Sequence, residues 1–388
     1  MIKKKPAQKD NLLLILEQIK ANHSITRSEL SKILAISPPA ISKNIEILLS
    51  KGIIKEIGFK KSSGGRKPIA LTYNFNFCKI IVVCITTNGI EACFSNLKGF
   101  IGKKYYIKKD VSLMTYKEII SDVMMLIDQV IESSGKLYED FKNITVIVPG
   151  IVSQNKVLVS NILPQICGSG LYEDLYSHYK INILIKNDIN SKTLGQFSQL
   201  ANNYQNIVYI SSENTGVGGG IIIDGEIFEG SYFGAGEIGY LVFEVFDEEN
   251  KTLRLDYFEN IVSKENIFKI LQINSVSEYT KEDGSINFEM LENKLESNKV
   301  IKNKLFDYLA KYYAMLIHNI STTINPELII LSGNLVNFGE KLYECIIQKL
   351  KDLELLHTNV KFSKENDHKI LGAIYYASNF INSKILSM

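Results

Sequence analysis

The chain has 388 residues, enough for two or three compact units, and its 45% hydrophobic and 22% charged residues are those of an ordinary globular protein. No run of 18 apolar residues occurs, and no long apolar segment follows the basic start at Met1–Pro6, so we expect neither a membrane span nor a signal peptide. The five cysteines are scattered without Cys-x-x-Cys spacing, which predicts free thiols in a reducing cytoplasm.

Charge is unevenly distributed along the chain, although the net charge is only +2. Residues 1–68 hold 14 Lys or Arg and 5 Asp or Glu, so this part carries +9 and the rest of the chain carries −7. A basic first part on an acidic body suggests a separate domain that binds nucleic acid. The alternative is a basic surface that is merely solvated.

Three short helices are predicted in the first 52 residues, and the first covers residues 11–20, which have helical apolar spacing. A second helix follows Thr26, which suits an N-cap, with Glu29 at the capping-box position. A third is predicted to begin with Ser37 as its N-cap and Pro38 in its first turn, and to run to Gly52. Three helices joined by tight turns indicate a helix-turn-helix unit whose third helix faces the major groove of DNA.

The N-terminal half of the third helix is predicted to be exposed to DNA. Asn44 could read adenine there, Lys43 could reach guanine or phosphate, and Ala40 could pack on a thymine methyl group. For each residue the alternative is a phosphate contact or an ordinary surface position. The predicted DNA-contacting residues of this unit and of the loop after it are Arg27, Ser37, Ala40, Ser42, Lys43, Asn44, Lys60, Lys61, Arg66 and Lys67.

A strand, a loop and a returning strand follow the third helix. Residues 52–58 and 69–72 are predicted strands, and the loop between them contains Gly64-Gly65-Arg66. Two glycines make this loop narrow and flexible enough for Arg66 to enter a minor groove, where A·T-rich DNA is most negative. The pattern indicates a winged helix, and we predict residues 1–74 as this domain.

The rest of the chain contains both strands and helices. Buried strands are predicted at 80–85, 144–148, 207–210, 221–223 and 328–331, and helices at 116–131, 285–324 and 371–377. The densest glycine cluster, at 216–220, is predicted to be a tight turn between two of these strands, and Asp224-Gly225 a type I′ hairpin turn. A glycine turn of this kind either approaches a ligand or is a hairpin that binds nothing.

These segments resemble the ROK family of repressors, open reading frames and sugar kinases. The family signature is similar to Asn214-Thr215-Gly216-Val217-Gly218-Gly219-Gly220 followed by Gly234-Ala235-Gly236-Glu237-Ile238-Gly239-Tyr240. Asn187-Asp188 and Asn325-Pro326-Glu327 continue the resemblance. The N-terminal segment, ending in Gly64-Gly65-Arg66-Lys67-Pro68, resembles that of the repressor branch, of the xylose-repressor and N-acetylglucosamine-repressor type.

The resemblance implies a fold and an order of domains. It predicts an α/β chain in which a winged helix-turn-helix precedes a two-lobed body of the actin-like, ribonuclease-H-like ATPase type. The first lobe would span residues 75–195 and be completed by a C-terminal helix at 370–388, and the second would span 196–369. Because ROK repressors are dimers or larger assemblies, we expect a homodimer or a dimer of dimers on a two-fold operator.

The resemblance also implies a sugar site in the cleft, with Asn161, Asn187, Asp188, Glu237 and Glu259 as its predicted residues. Asp188 resembles the family's catalytic base, and the two glutamates resemble those that hold sugar hydroxyls. Asn161 lies one residue from the position of the family's sugar-touching asparagine. Carboxylates suit sugars because their oxygens accept hydrogen bonds from neighbouring hydroxyls. For Asp188 the alternative is a helix cap, and for the glutamates an exposed surface charge.

Two motifs of the family are missing from this chain. Where ROK kinases have Asp-x-Gly-Gly-Thr, which wraps the ATP phosphates and engages the metal ion, this chain has Cys84-Ile85-Thr86-Thr87-Asn88. Phosphoryl transfer then lacks its charge stabilisation, and we predict no enzyme activity. Tyr240 replaces the family's zinc-binding His, and residues 242–259 contain no cysteine, so we predict no metal and no other cofactor. The loop at 246–251 would have to be held by other contacts or be mobile.

The sequence therefore predicts a cytoplasmic, sugar-responsive transcriptional regulator without a membrane partner. The favoured hypothesis is a repressor of carbohydrate-utilisation genes that a sugar releases from operator DNA. One alternative is a constitutive DNA-binding protein whose sugar pocket has decayed. The other is a divergent sugar kinase with a DNA-binding appendage.

Overall fold

The computed structural model describes residues 8–59, 67–200, 203–247, 250–353, 358–364 and 367–387. Over these ranges, no helix combines the length and the apolar character needed to cross a membrane. The described residues form a winged helix and two lobes, each built on a five-stranded sheet.

The N-terminal unit is the predicted winged helix. Its elements are α1 (Gln8–Ala21), β1 (Ile25–Thr26), α2 (Arg27–Leu34), α3 (Pro38–Ser50), β2 (Ile54–Phe59) and β3 (Ile69–Tyr73), with the strands in the order β1-β3-β2. The predicted capping box is confirmed, since the Thr26 side chain accepts from the N–H of Glu29 and the Glu29 carboxylate accepts from the N–H of Thr26 at 2.7 Å. Pro38 opens α3 as predicted, but the Ser37 side chain makes no capping hydrogen bond.

The first lobe is built on a sheet with the strand order β10-β7-β4-β5-β6. Its elements are β4 (Lys79–Thr86), β5 (Gly89–Asn96), β6 (Tyr105–Lys108), α4 (Tyr116–Ser133), β7 (Phe141–Val148), the hairpin β8 (Ile151–Ser153) and β9 (Lys156–Val159), α5 (Leu171–Tyr179) and β10 (Asn182–Asn187). Strands β4, β7 and β10 are parallel, so their carboxyl ends meet at one edge of the sheet, where ligand sites of α/β proteins commonly lie.

Two helices connect the lobes. Helix α6 (Asp188–Ser198) leads from β10 to the second lobe, and α12 (His368–Ser387) returns from the second lobe to pack on β4 and β7. The two helices touch closely, because a Cβ on Gly195 would overlap the carbonyl oxygen of His368, and a Cβ on Gly372 would overlap that of Ser191. Glycine at these two positions therefore sets the distance between the helices.

The second lobe is built on a sheet with the strand order β13-β12-β11-β16-β17. Its elements are β11 (Ile207–Glu213), β12 (Gly216–Ile223), β13 (Glu226–Ile227), the hairpin β14 (Val242–Asp247) and β15 (Thr252–Tyr257), α7 (Phe258–Ile261), α8 (Lys264–Ile270), α9 (Phe288–Ser297), α10 (Lys299–Ile324), β16 (Leu328–Gly333), α11 (Glu340–Asp352) and β17 (Asn359–Phe362). The segment predicted as one helical stretch at 285–324 forms α9 and α10, because the Asn298 side chain caps a new helix by accepting from the N–H of Ile301.

The glycine cluster is part of a strand, and its prediction as a turn is wrong. Strand β12 pairs with β11 from Gly216 to Ile222, so all of its glycines lie in the sheet. A Cβ on Gly220 would overlap the Oγ1 of Thr193 in α6, and one on Gly218 would overlap Ile189 of the same helix, so these two glycines serve the close packing of the strand on α6. The hairpin turn after the strand is confirmed, since Asp224 and Gly225 have φ angles of 53° and 80°.

The winged helix packs directly on the body through α12. Ile374 and Ile381 of α12 share one buried apolar cluster with Ile15 of α1. The Nζ of Lys20 in α1 also donates to the Oγ of Ser378 in α12, at 3.1 Å. The winged helix and the first lobe therefore share part of one hydrophobic core.

Candidate functional site

All five residues predicted for the sugar site line one cavity of about 300 Å³ between the lobes. Asn161 lies just after β9, Asn187 ends β10, and Asp188 begins α6. Glu237 precedes a short 3-10 helix, and Glu259 lies in α7. Segments distant in the sequence meet here because α6, which follows directly on β10 of the first lobe, packs on β12 of the second.

Asn187 and Asp188 are partly engaged by the backbone. The Oδ1 of Asn187 accepts from the N–H of Asn190 at 2.8 Å, and its Nδ2 donates to the carbonyl of Gly150 at 2.8 Å. One carboxylate oxygen of Asp188 accepts from the N–H of Ile189 at 2.9 Å. Asn187 therefore fixes the start of α6, whereas Asp188 keeps a second oxygen with which to accept from a ligand hydroxyl.

Four carboxylates line this cavity, and three of them, those of Asp188, Glu237 and Glu259, belong to the predicted site. Partial burial raises the pKa of Glu237, and repulsion by Asp188 and Glu259 raises that pKa further. The Oε2 of Glu259 lies 2.7 Å from where a Cβ on Gly216 would stand, and 3.1 Å from one on Gly239, so these glycines make room for the carboxylate. The cluster suits a neutral ligand with several hydroxyl donors and disfavours an anion.

Tyr240, at the position of the family's zinc-binding His, contacts the first lobe across the cleft. Its hydroxyl accepts from the Nδ2 of Asn161 at 3.0 Å, and its ring packs edge-on against Tyr257 with a centroid distance of 5.6 Å. Within the described ranges, no three His, Cys, Asp or Glu side chains come together as a metal site. The segment predicted as a loop at 246–251 includes the end of β14 and stops just before β15 begins at Thr252, and residues 248–249 lie outside the described residues.

Two charged residues of the cleft were missed by the sequence reasoning. Glu213, the last residue of β11, lines the cavity, and its carboxylate pairs with the Nζ of Lys192 from α6, whose side chain is 1% exposed. The position of Glu213 at the end of a buried strand was an available signal, because ligand sites lie at the carboxyl ends of strands. Nothing in the sequence distinguishes Lys192 from an exposed helical lysine.

A second cavity of about 560 Å³ adjoins the first, and both include Asp188 and Glu213 in their walls. Thr86, Thr87 and Asn88, which stand where kinases have their phosphate loop, line this cavity. They form a tight turn between β4 and β5, in which the Thr86 hydroxyl donates to the carbonyl of Gly89 at 2.9 Å. This turn contributes hydroxyl and amide groups to the cavity but no carboxylate.

The predicted exposure of Asn44 to DNA is wrong. Asn44 is only 3% exposed, and its Nδ2 donates to the carbonyl of Ala40 within α3 at 2.8 Å. The residue follows the buried Ile41 by three positions, which puts both on the face of α3 that packs on the core. Asn44 therefore supports the helix from inside and does not reach a base.

The other predicted DNA contacts have different surroundings. Ser37, Lys43 and Lys67 are exposed, whereas Ala40 and Ser42 are half-buried. Arg27 pairs with Glu56 of β2 at 3.2 Å. Lys60, Lys61 and Arg66 lie outside the described residues.

Comparison with known families gives the same order of a DNA-binding unit followed by an α/β body. The winged helix-turn-helix DNA-binding family matches residues 8–55, and the ROK family matches residues 87–379. The chain belongs to the ROK family. This ROK protein therefore carries a DNA-binding module ahead of the family's characteristic body.

Named relatives of this ROK protein match it over most of their length. The xylose repressor of Caldicellulosiruptor bescii is 24% identical over 383 residues, which cover 94% of each chain. The DNA-binding transcriptional dual regulator NagC of Escherichia coli K12 is 23% identical over 355 residues, covering 89% of this chain and 86% of NagC. A crystal structure of a ROK family transcriptional regulator, a homolog of the E. coli MLC protein, matches 98% of this chain and 99% of its own with a TM-score of 0.79 at 17% identity. The predicted winged helix followed by a ROK body is confirmed.

Proposed function

We propose that this ROK protein is a sugar-responsive transcriptional repressor whose winged helix binds operator DNA and whose cleft binds the sugar that releases it. One observation carries the proposal: Asp188, Glu237 and Glu259 converge on one cavity in a chain that also carries a winged helix. Relatives named as a xylose repressor and as a transcriptional regulator support the same class.

The ligand that the cleft favours is an uncharged sugar. Three carboxylates accept hydrogen bonds from hydroxyls, whereas they repel a phosphate group. Xylose is the first candidate because of the relative's name, and N-acetylglucosamine and other mono- and disaccharides follow. In this proposal Asp188 and Glu259 hold hydroxyls, and the Asn161–Tyr240 hydrogen bond closes the rim.

Helices α6 and α12 would carry the signal from the cleft to the DNA. Asp188 begins α6, and α6 contacts α12 at Gly372. Helix α12 in turn holds the winged helix, where the Tyr73 hydroxyl donates to the Oδ1 of Asn382 at 3.2 Å. A sugar that draws the lobes together would move α12 and the winged helix with it. This requires tighter sugar binding by one conformer, and a coupling of about 1–3 kcal/mol would be ordinary.

The test is fluorescence anisotropy on DNA from upstream of the protein's own gene, titrated with a panel of sugars. We expect one sugar to weaken DNA binding about 5- to 150-fold. Asp188→Asn and Glu259→Gln should lose this response and keep the DNA affinity measured without sugar, whereas the exposed control Glu340→Gln should keep both. DNA binding that no sugar alters would contradict the proposal and favour a constitutive regulator.

We propose no catalytic role, because the Thr86–Asn88 turn supplies no carboxylate for phosphoryl transfer. The alternative of a divergent kinase rests on Asp188, which resembles the family's catalytic base. ATP turnover with a panel of hexoses should not exceed that of a buffer control. Turnover that disappears in Asp188→Asn would establish the kinase instead.

The assembly and the compartment belong to the same proposal. We expect a homodimer or a dimer of dimers, because a two-fold operator requires two winged helices at a spacing fixed by the protein. A DNA-binding repressor acts where the DNA is, so we place it in the cytoplasm.

A further inference from the structure

Strand β15 carries its apolar side chains on the side that faces away from the core. Leu253, Leu255 and Tyr257 are 61%, 72% and 46% exposed. The residues that alternate with them, Arg254 and Asp256, form an ion pair on the opposite side of the strand. Because successive strand residues point to opposite faces, a surface strand normally buries its apolar set and exposes its polar one. Strand β15 instead exposes its apolar set.

Strand β14 extends the same apolar surface. Directly opposite residues of an antiparallel pair lie on one face, and the register pairs Val242 with Tyr257 and Phe246 with Leu253. Val242 and Phe246 are 53% and 52% exposed, whereas the alternate residues of β14 are buried in the core of the second lobe. We call the resulting surface the hairpin face; it consists of Val242, Phe246, Leu253, Leu255 and Tyr257.

We propose that the hairpin face is the surface on which a second copy of this chain packs to form the homodimer. The inference rests on the proposed function, which requires two winged helices on one operator. The hairpin face exposes on the order of 500 Å² of apolar surface, at the upper end for a monomer. Two such faces packed together would remove about 1,000 Å² of surface from water. Specific protein–protein interfaces bury at least about 1,200 Å² in total, so the hairpin face would supply most of that area.

The arrangement of charge on the hairpin favours a two-fold pairing with β15 at its centre. Glu244 is the charged residue of this side, and the register sets it opposite Leu255. With the two β15 strands on either side of the two-fold axis, Glu244 lies one strand away from that axis, so the two Glu244 carboxylates of a dimer do not meet. An apolar face of this kind is complementary to itself, as an isologous interface requires.

The proposed interface adjoins the sugar cavity. Tyr257 of the hairpin face packs on Tyr240, whose hydroxyl accepts from Asn161 at 3.0 Å in the wall of the cavity. The second copy would therefore lie beside the rim at which the two lobes meet. Closure of the cleft around a sugar would then change the orientation of the two subunits.

The test measures the mass of the full-length protein by sedimentation equilibrium at micromolar concentration. Leu255→Glu puts a charge at the centre of the proposed interface without disturbing the core, and Leu113→Glu, at a leucine 83% exposed in the first lobe, is the matched control. We expect a dimer or tetramer for the wild type and for Leu113→Glu. For Leu255→Glu we expect the next smaller species, a monomer in place of a dimer or a dimer in place of a tetramer, with a dissociation constant for the proposed interface that is at least tenfold higher. Leu253→Ser provides a milder variant should Leu255→Glu fail to fold by circular dichroism.

Two results would overturn the inference. A Leu255→Glu or Leu253→Ser protein that associates like the wild type would show that the subunits meet elsewhere. A monomeric wild type would mean that another molecule covers the hairpin face. The proposed function is tested separately, because Leu255→Glu should still bind the sugar in a thermal-shift assay and bind a single operator half-site like the wild type. Its affinity for the complete two-fold operator should fall at least tenfold.

Discussion

The hydroxyl of Tyr73, in the second strand of the wing, donates a 3.2 Å hydrogen bond to the Oδ1 of Asn382 in the last helix, and both residues are buried. The Nζ of Lys20 lies 4.9 Å from the centre of the same tyrosine ring. This contact joins the DNA-binding unit to the helix that also packs on α6 at the cleft. The winged helix is therefore packed on the helix through which we propose that a sugar in the cleft acts on DNA binding.

Replacing Tyr73 by Phe should weaken this junction. The substitution leaves the Oδ1 of Asn382 buried without its donor, and we expect the free energy of unfolding to fall by about 1–3 kcal/mol. The effect of sugar on DNA affinity should decline as well, as anisotropy with and without sugar will measure. Tyr343→Phe removes a comparable bond, to the carbonyl of Val360 at 2.9 Å, far from the junction. A sugar response equally intact in both variants would show that Tyr73 does not transmit the signal.

Replacing Gly372 by Ala should force α12 away from α6. The added Cβ overlaps the carbonyl oxygen of Ser191. Because the nearest atoms all belong to the backbone of Ser191, no side chain can rotate away to relieve the overlap. We expect unfolding in urea to show a loss of about 1–3 kcal/mol. In the control Gly234→Ala the nearest atom is 3.5 Å from the new Cβ, so stability should change little. Equal stability of the two variants would contradict the close crossing of the helices.

The charge of Glu237 should make sugar binding depend on pH. Burial, and then Asp188 and Glu259, raise the pKa of this carboxyl above its usual 4.5, and the ionised form is the better acceptor. Sugar affinity should therefore fall as the pH is lowered through the raised pKa. Glu237→Gln should bind sugar about tenfold more weakly at neutral pH, with a flatter pH profile, as calorimetry can measure.

The raised pKa of Glu237 has the opposite effect on the stability of the fold: ionisation of this carboxyl favours sugar binding but disfavours the folded state. Because its folded-state pKa lies above the unfolded value, its protonation favours the folded state below about pH 4.5, and this contribution is lost as the pH rises through the folded pKa. At neutral pH the ionised carboxylate is repelled by its neighbours, so Glu237→Gln should unfold at a higher temperature than the wild type. A lower unfolding temperature at neutral pH would refute the repulsion.

Lys43 and Asn44, adjacent in α3, should differ in their effects on DNA binding. Lys43 is exposed, so Lys43→Ala should weaken binding across DNA sequences and reduce the slope of log affinity against log salt by about 1. Among the described residues no donor reaches the buried Oδ1 of Asn44. Asn44→Leu should leave the choice of bases unchanged and alter the free energy of unfolding by no more than about 1 kcal/mol. A changed base preference in Asn44→Leu would restore the original prediction.

The sequence by itself determined the features that depend on neighbours along the chain. The capping box of Thr26 and Glu29 and the Asp224-Gly225 turn are local hydrogen-bonding and φ preferences, which a few residues specify. The resemblance to the ROK family then selected five residues that line one cavity. Spacing alone would not have brought Asn161 and Glu259 together.

Only the tertiary structure decided the features whose causes lie on other elements. Position 220 in strand β12 requires glycine because Thr193 of α6 occupies the space that a Cβ would need. Lys192 is buried because Glu213, at the end of a distant strand, compensates its charge. The apolar side of β15 faces outward because its polar side shares a face with the buried side chains of β14. Local propensity contains no information about such partners, since each is set by which elements the fold brings into contact.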